Sequence, residues 1–585
     1  MIQKRMKSLA VLLILILMLL TGRLVQIQLV STESFSGHKV NLIESSVKQR
    51  TQVMKIDDGR GDFYDKNGNP ILHEVIPVLV LFPFLNKMAW PAEKVANIIQ
   101  IPAYKLLNEL QTAKEPFAFG GKIPLELTEE QSRAINDLKI PGVFAVKQKL
   151  EYDGTMAEHL IGTLTRSDEL KAKNYPEREL SPDTYIGITG LQHTFDEFLL
   201  SEGDSKLVFH VDGTGGPLFG VDVKYVEPAN PMYPVKVITT LNRDIQAAAE
   251  KLTDLHGIKK GGLVLIDIEK SEIAAMVSRP KINQSNPNEN SSSKNRMLMQ
   301  DTPGSVFKTV TAAAAIEHGL VPPGRRFNCD QTIDGKSEPK KKLGTLDFED
   351  SFAQSCNRTF GDLAKELTDI DPDFLQSYGS KLGLIGQTGW QGEMYHSDFK
   401  QLDKEELGRV WNDEAVKKDK KIAAHSAIGQ QDVQVTPLAV ANMMATIARG
   451  GEKRMVSAVR KVSFNNGTTA IDFPPKGLEG ERISPYTAMK LQSLLRRVVT
   501  EGKGTGASLS QLPYEVAGKS GTAQTGIDKR ELNKWFAGYF PFKNPKYALV
   551  TVKLDSNDQE AGVISLFKEM VEEIHRIETS SPVPD

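Results

Sequence analysis

Three short motifs follow one another along the chain, and their side chains could together form a site for acyl transfer through a serine. In chain order they are Ser305-Val306-Phe307-Lys308, Ser355-Cys356-Asn357 and Lys519-Ser520-Gly521-Thr522. A serine hydroxyl is a weak nucleophile at neutral pH and needs a base to activate it. Ser-x-x-Lys alone is uninformative, because the same spacing recurs at Ser278, Ser397 and Ser565. The order and the separation of the three motifs therefore carry the prediction.

Lys308 is predicted to be the base that activates Ser305. Three residues along a helix make nearly one turn, so the two side chains share a face. The amine accepts a proton only when it is neutral, which requires burial or a second nearby cation to lower its pKa. Lys519 is the candidate for that cation. The helix itself is predicted from Pro303, which suits a first turn, and from the four alanines at 312–315.

The start of this helix and the strand of the third motif could stabilise an oxyanion. Unpaired backbone N–H groups at a helix start favour developing negative charge, so the Ser305 N–H is one predicted oxyanion donor. The Thr522 N–H, at the edge of a strand, is the other. Gly521 has no side chain, so a substrate backbone can approach the strand closely.

The remaining motif side chains suit substrate binding and proton transfer. Lys519, Ser520 and Thr522 offer a cation and two hydroxyls, a set that suits a substrate carboxylate. Ser355 could relay a proton between Lys519 and a leaving amine. Asn357 could hold either the lysine of the first motif or a substrate amide, and the sequence leaves both roles open.

The elements predicted around the motifs indicate an α+β fold, with a mainly antiparallel sheet flanked by helices. Apolar segments at 262–269 and 272–278, separated by a short charged turn, are typical of a hairpin. The glycine cluster at 502–506 is interpreted as a turn. Further strands are predicted at 515–524, 534–540 and 547–554. Further helices are predicted at 437–448, 485–499 and 563–577.

The region before the catalytic motifs is predicted to be a structural module, because it shows no acid pair, metal-ligand spacing or nucleophile signature. A tight turn is predicted at 65–68, and helices at 104–113 and 128–138. The second helix begins with a capping box formed by Thr128 and Gln131. A chain of 585 residues is too long for one core. We therefore predict an N-terminal anchor, this module and a catalytic domain at 1–24, 25–234 and 235–585.

The N-terminus is predicted to be an uncleaved membrane anchor. Lys4, Arg5 and Lys7 precede an apolar run at 9–20, and this order places the start of the chain in the cytoplasm and the rest outside. The run is shorter than the ~20 residues that a spanning helix usually needs. A cleaved signal peptide is the alternative, but the residues after the run lack the small-residue pattern of a cleavage site.

Composition argues against several other classes of protein. The net charge is −2 and no basic stripe is present, so we expect no binding to nucleic acid. The histidines show no metal-ligand spacing, so no metal site is predicted. The two cysteines, Cys329 and Cys356, are too few for a disulfide framework. Two free thiols are favoured over a single bridge.

The motifs resemble those of the class B penicillin-binding proteins, a family of monofunctional peptidoglycan transpeptidases. The three catalytic motifs match the family in their order. Ser520 stands where many relatives have threonine, which keeps a hydroxyl. Further matching segments are Pro303-Gly304, Ala523, Ile428-Gly429-Gln430, Thr436-Pro437-Leu438, Arg60-Gly61 with Asp65, Asn67 and Gly68, and His159-Leu160-Ile161-Gly162.

The resemblance implies a fold and a function. The fold would be the serine-transpeptidase domain, preceded by an elongated non-catalytic module and a membrane anchor, with the catalytic domain outside the cell membrane. Ser305 would attack the D-Ala-D-Ala end of a peptidoglycan stem peptide, release the last D-Ala and pass the acyl group to an amine of a neighbouring strand. β-Lactams would acylate the same serine. The family uses no metal or organic cofactor, and its members often pair with a membrane glycan polymerase.

Three other functions would use similar residues. A D,D-carboxypeptidase forms the same acyl-enzyme but transfers the acyl group to water. A β-lactam sensor or β-lactamase also carries such motifs, but a lactamase needs a base that positions a hydrolytic water, and none is evident in the sequence. A non-catalytic cell-wall scaffold would leave the serine site vestigial, whereas here all the motif residues are in place.

Overall fold

The computed structural model describes residues 2–37, 40–152, 154–178, 180–201, 203–212, 218, 224–226, 230–283, 291–337, 342–525, 531–557 and 559–580. Its α-helices are α1 (Ile2–Val25), α2 (Leu42–Gln49), α3 (Ala92–Ile98), α4 (Ala103–Thr112), α5 (Glu129–Asp137), α6 (Glu158–Ile161), α7 (Asp168–Asn174), α8 (Gly190–Thr194), α9 (Asp196–Leu199), α10 (Arg243–Leu255), α11 (Lys308–Glu317), α12 (Phe348–Ala353), α13 (Asn357–Ile370), α14 (Phe374–Lys381), α15 (Lys420–Ala427), α16 (Pro437–Ala448), α17 (Pro485–Thr500) and α18 (Ile564–Ser580). Its strands are β1 (Thr51–Asp57), β2 (Asp62–Tyr64), β3 (His73–Leu81), β4 (Phe117–Ala118), β5 (Val143–Glu151), β6 (Leu164–Thr165), β7 (Ile186–Gly187), β8 (Ser205–His210), β9 (Lys224–Val226), β10 (Lys236–Thr239), β11 (Gly261–Asp267), β12 (Glu272–Arg279), β13 (Phe327–Asn328), β14 (Thr345–Leu346), β15 (Gln391–Met394), β16 (Ser397–Lys400), β17 (Val459–Ser463), β18 (Thr469–Asp472), β19 (Ala517–Thr525), β20 (Glu531–Phe540) and β21 (Tyr547–Ser556).

The chain folds into two compact units. The first unit takes Met1–Arg60, His73–Glu151 and Ser201–Pro231, and the second takes Gly61–Leu72, Tyr152–Leu200 and Met232–Asp585. The catalytic motifs all belong to the second unit. The domain boundaries at 24 and 234 stay predictions.

The first unit begins with α1 and is built around two small antiparallel sheets. Helix α1 and the turn after it, Ile2–Val30, are long and apolar enough to cross a membrane. The sheets have the strand orders β4-β3-β5 and β1-β8-β9. Aromatic rings fill the core between them, and the rings of Phe84 and Phe209 stack 4.6 Å apart.

The predicted helices of the first unit are confirmed. Helix α4 lies within one residue of its predicted bounds, and α5 starts with the expected capping box. The Gln131 backbone N–H donates to Thr128 Oγ1 at 3.1 Å, and the Thr128 N–H donates to Gln131 Oε1 at 2.8 Å. Two orphan donors at the helix start are thereby satisfied, which is why this short polar segment is helical.

The second unit is organised around a five-stranded antiparallel sheet with the strand order β12-β11-β21-β20-β19. Both faces of the sheet are covered by helices, so β11 and β21 are buried along nearly their whole length rather than at alternate residues. Leu263 and Leu265 pack in a cluster with α10 and α18, while Val264 and Ile266 pack in a cluster with α11 and α16. Burying a side chain of this size contributes about 1.5–3 kcal/mol. The predicted α+β fold and the predicted hairpin, formed by β11 and β12, are confirmed.

The helix that carries the first motif begins later than predicted. Its α-helical part, α11, starts at Lys308, and Gly304–Phe307 form a 3₁₀ turn before it. Gly304 has a φ of +56°, which an α-helix of L-residues cannot contain. The α-helix therefore cannot extend back to Pro303.

Candidate active site

The Ser305 turn packs directly against the edge strand β19. A Cβ atom on Gly304 would overlap the backbone carbonyl of Thr522, and a Cβ atom on Gly521 would lie 2.5 Å from the Pro303 carbonyl oxygen. Glycine is therefore required on both sides of this contact. The structure thus places the half-buried Ser305 beside the third motif.

The first and second motifs meet at Lys308, which is fully buried. Its Nζ donates to Asn357 Oδ1 at 2.6 Å, to Ser355 Oγ at 3.0 Å and to the Ser355 carbonyl at 3.0 Å. Asn357 thus contacts the lysine of the first motif, which is one of its two predicted roles.

Lys519 is also fully buried, on the face of β19 that turns away from solvent. Its Nζ lies 3.1 Å from the Ser520 carbonyl oxygen and 5.8 Å from the centre of the Phe352 ring. Phe352 belongs to α12, which leads directly into the second motif at Ser355. The third motif is thereby placed next to the second.

The opposite face of β19 is open. Because side chains alternate along a strand, Ser520, Thr522 and Gln524 share this face, where Ser520 is half-buried and the other two are exposed. Ser520 Oγ donates to Thr505 Oγ1 at 2.8 Å. The glycine cluster at 502–506 is a turn, as predicted, but its contact with the third motif had no signal in the sequence.

Gln430 and the residue before it link β19 to the turn that carries Ser305. Its Nε2 donates to the Thr522 carbonyl at 2.9 Å, and the Gln524 backbone N–H donates to its Oε1 at 3.1 Å. The carbonyl of the preceding residue, Gly429, accepts a hydrogen bond from the Gly304 N–H at 3.0 Å. The sequence singled out this segment only by resemblance and gave Gln430 no role.

The interpretation of the two cysteines as free thiols is wrong, because Cys329 and Cys356 form a disulfide with their Cα atoms 5.9 Å apart. Strand β13 pairs with β14, and this short ladder returns the chain so that Cys329 lies against the second motif. The two cysteines are 27 residues apart in sequence, and they meet only through the tertiary packing of the segments between them. The sequence alone gave no signal of that packing.

A cavity of about 830 Å³ opens beside these residues. Its size lies within the range of ligand-binding clefts in proteins. Its walls include the disulfide, Ser355 and Asn357 of the second motif, and Gln430 with Gln524 of β19. The other polar residues in its lining are Gln331, Thr332, His425, Gln431 and Asp432.

Carboxyl groups near the site show one marked pKa shift. Burial raises the pKa of Asp301, four residues before Ser305, to about 6, and the hydrogen bond from Asn533 Nδ2 at 2.8 Å opposes that rise. Within the part of the chain that the structure describes, no group of three or more His, Cys, Asp or Glu side chains could hold a metal ion.

The chain matches the models of two known protein families. The family model of the penicillin-binding protein transpeptidase domain matches residues 261–574, which is more than half of the chain. The chain belongs to the penicillin-binding protein transpeptidase family. A second model, the penicillin-binding protein dimerisation domain, matches residues 55–230. This pair of domains is the arrangement of a class B penicillin-binding protein.

Curated relatives of this penicillin-binding protein carry consistent names. A probable peptidoglycan D,D-transpeptidase PenA of Neisseria flavescens is 27% identical over 66% of this chain and 92% of its own length. The peptidoglycan D,D-transpeptidase MrdA of Acinetobacter baumannii is 22% identical over 92% of this chain and 83% of its own length.

The fold also has a solved counterpart. A chain from a study of how a peptidoglycan synthase complex coordinates polymerization and crosslinking superposes with a TM-score of 0.64. The match covers 99% of this penicillin-binding protein and 100% of that chain, at 22% sequence identity. The likeness extends over both units and confirms the predicted fold class.

Proposed function

We propose that this protein is a peptidoglycan D,D-transpeptidase in which Ser305 forms the acyl-enzyme. The observation that carries the proposal is the hydrogen-bonded contact of Lys308 with Ser355 and Asn357, beside a serine turn packed on β19. It supplies a nucleophile, an amine and a relay hydroxyl in one place. The names of the relatives support the reaction class and disfavour the carboxypeptidase, lactamase and scaffold alternatives.

Lys308 serves as the base in this proposal. A neutral amine has two N–H groups and one lone pair, so it can keep donating to Asn357 Oδ1 and to the Ser355 carbonyl, which only accept. The Ser355 hydroxyl can both donate and accept. The lone pair is then available for a proton from Ser305 or from the Ser355 hydroxyl, so these contacts are compatible with proton transfer at Lys308 Nζ.

Acylation joins Ser305 to the donor peptide and releases the terminal D-Ala. Ser305 Oγ bonds to the carbonyl carbon of the penultimate D-Ala, and its proton moves to Lys308. The N–H groups of Ser305 and Thr522 stabilise the oxyanion. The bond to the terminal D-Ala then breaks, and its nitrogen receives the proton from Lys308 through Ser355. In the second half, an amine of a neighbouring stem peptide forms an amide bond to the acyl carbon. The ester bond to Ser305 breaks, and the proton that the amine loses passes through Lys308 to Ser305 Oγ.

The hydroxyls on the open face of β19 bind the terminal carboxylate in this proposal. Ser520 and Thr522 point to the same side, and Thr505 lies within hydrogen-bonding distance of Ser520. Lys519 adds positive charge behind the strand. Carboxylates are bound well by such a combination of hydroxyl donors and a cation.

The location and the partners are part of the proposal. Helix α1 has the length and the apolar composition of a spanning segment, and the preceding positive charges favour a cytoplasmic N-terminus. The second unit, which carries the three motifs and is called the catalytic unit from here on, would then act outside the membrane on stem peptides. A membrane glycan polymerase is the proposed partner, because the solved counterpart comes from a peptidoglycan synthase complex.

Product analysis tests the reaction class. The full chain in detergent is incubated with stem pentapeptide and an acceptor amine, with the Ser305→Ala variant as control. We expect cross-linked dimer and free D-Ala from the wild type and neither from the variant. Trimmed peptide without dimer would instead indicate a carboxypeptidase. A penicillin adduct that is lost within milliseconds would indicate a lactamase, and growth fully restored by Ser305→Ala in a null strain would indicate a scaffold.

A further inference from the structure

The carboxamide of Gln430 makes two hydrogen bonds with the free edge of β19. A primary amide presents an N–H and its oxygen on the same side, so it can bond to the Thr522 carbonyl and the Gln524 N–H together. The two distances are 2.9 and 3.1 Å. Among the described strands β19 lies at the edge of its sheet, paired with β20 on one side. Gln430 therefore holds the side of the strand that has no neighbouring strand.

The residue before Gln430 holds the Ser305 turn. The Gly429 carbonyl accepts from the Gly304 N–H at 3.0 Å, and a Cβ atom on Gly429 would overlap the Gly304 carbonyl. Gly429 also has a φ of +72°, which favours glycine. Gly429 thus bonds the Ser305 turn through its backbone carbonyl, and Gln430 bonds the edge strand β19 through its side chain.

We propose that Gln430 is a positioning residue for acyl transfer. It fixes Thr522 relative to Ser305, so that the N–H groups of both residues face the same substrate carbonyl. Oxyanion donors act only when they are held at the correct position before the charge develops. The inference rests on the proposed function, because it assigns Gln430 a part in the acylation of Ser305.

The same contact limits how far an acyl donor can pair with β19. A backbone carbonyl has two lone pairs, so Thr522 can accept from Gln430 and from a donor chain at the same time. The Gln524 N–H, in contrast, is already used by Gln430. A donor chain that adds to this edge therefore pairs as far as Thr522 and no further.

The Gln430→Glu variant tests the proposal through its pH dependence. A protonated glutamic acid has one O–H donor and one C=O acceptor, so it can remake both hydrogen bonds, whereas the ionised carboxylate has no donor for the Thr522 carbonyl. We measure the rate of acylation by a fluorescent penicillin from pH 4 to pH 8, relative to the wild type at each pH. We expect a relative rate near one at low pH and a fall of about ten-fold as the glutamate ionises, the loss typical of one hydrogen bond.

Gln430→Met is the matched control, because it keeps the size of the side chain without polar atoms. We expect its relative rate to be at least about ten-fold low at every pH, because both hydrogen bonds are lost, with an unfolding midpoint near that of the wild type. A relative rate for Gln430→Glu that does not change with pH, or a wild-type rate in Gln430→Met, would overturn the positioning role. A wild type that is not acylated at Ser305 would overturn the proposed function itself.

Discussion

The hydrogen bond between Lys308 Nζ and Asn357 Oδ1, 2.6 Å long, joins the first residue of α11 to the first residue of α13. Lys308 has no exposed surface, so its nitrogen depends on protein groups for hydrogen bonding. This one hydrogen bond therefore connects the starts of both helices. It also helps to position the Ser305 turn, which lies immediately before α11.

Two substitutions of Asn357 separate the structural and the catalytic parts of this contact. Asn357→Ala removes an acceptor from a buried donor, so we expect a loss of about 1–3 kcal/mol in unfolding free energy as well as slower acylation. Asn357→Asp keeps an acceptor, but its negative charge stabilises the ammonium form of Lys308, which cannot take a proton. We expect the aspartate variant to retain its thermal stability and to lose acylation. A fully active aspartate variant would contradict Lys308 as the base.

The Cys329–Cys356 disulfide should stabilise the catalytic unit. It closes a loop across 27 residues. In the chain-entropy description a loop of this length contributes about 3–4 kcal/mol. We expect a reductant to lower the thermal unfolding midpoint of the wild type and to leave that of Cys329→Ser unchanged. Equal midpoints of the wild type with and without reductant would contradict the bridge.

Asp301 should make the stability of the catalytic unit depend on pH. Its folded-state pKa of about 6 is above its ordinary value of 3.8, so between these values the folded state holds a proton that the unfolded state has released. The contribution of this group to stability therefore declines as pH rises from about 4 to about 6 and is constant above that.

Asp301→Asn removes this titration and keeps an acceptor for Asn533. We expect the variant to gain stability relative to the wild type between pH 4 and pH 6, measured by denaturant unfolding at each pH. The charges of Lys260, Asp555 and Arg296 act on Asp301 and remain in both proteins. A difference in stability that does not vary over this range would show that Asp301 is not buried as described.

Gly521 should be intolerant of any side chain. A Cβ atom at this position would lie 2.5 Å from the Pro303 carbonyl oxygen and 2.9 Å from a methyl carbon of Val306. We expect Gly521→Ala to push β19 away from the Ser305 turn, at a cost of about 1–3 kcal/mol, and to slow acylation strongly. Gly502→Ala is the control, because a Cβ atom there meets nothing within 4 Å. Equal acylation rates in the two variants would contradict the close contact.

Long apolar or strongly capped elements were predictable from the sequence. Strands β20 and β21 and helices α16 and α17 lie within about three residues of their predicted bounds, because their apolar runs and N-terminal prolines are local signals. The three motifs could be assigned to one site because their order is specific to a family, although no single spacing showed that Lys308 would contact Asn357.

Contacts between segments distant in sequence could not be predicted in the same way. Gly304 packs against Thr522 with a left-handed backbone, which an α-helix cannot include. The α-helix therefore begins after it, at Lys308, and not at Pro303 as predicted. The contacts of Thr505 and Gln430 with β19 depend on which loops meet that edge in the fold. The disulfide likewise depends on the pairing of β13 with β14.

Ser305 is the residue that we expect to become acylated. This is tested by mass spectrometry of the full chain in detergent after incubation with benzylpenicillin, followed by peptide mapping. We predict one added penicilloyl mass, located on the peptide that contains Ser305, and no adduct on the Ser305→Ala variant. An adduct of equal yield on that variant, or one mapped to another residue, would rule out Ser305 as the acylated nucleophile.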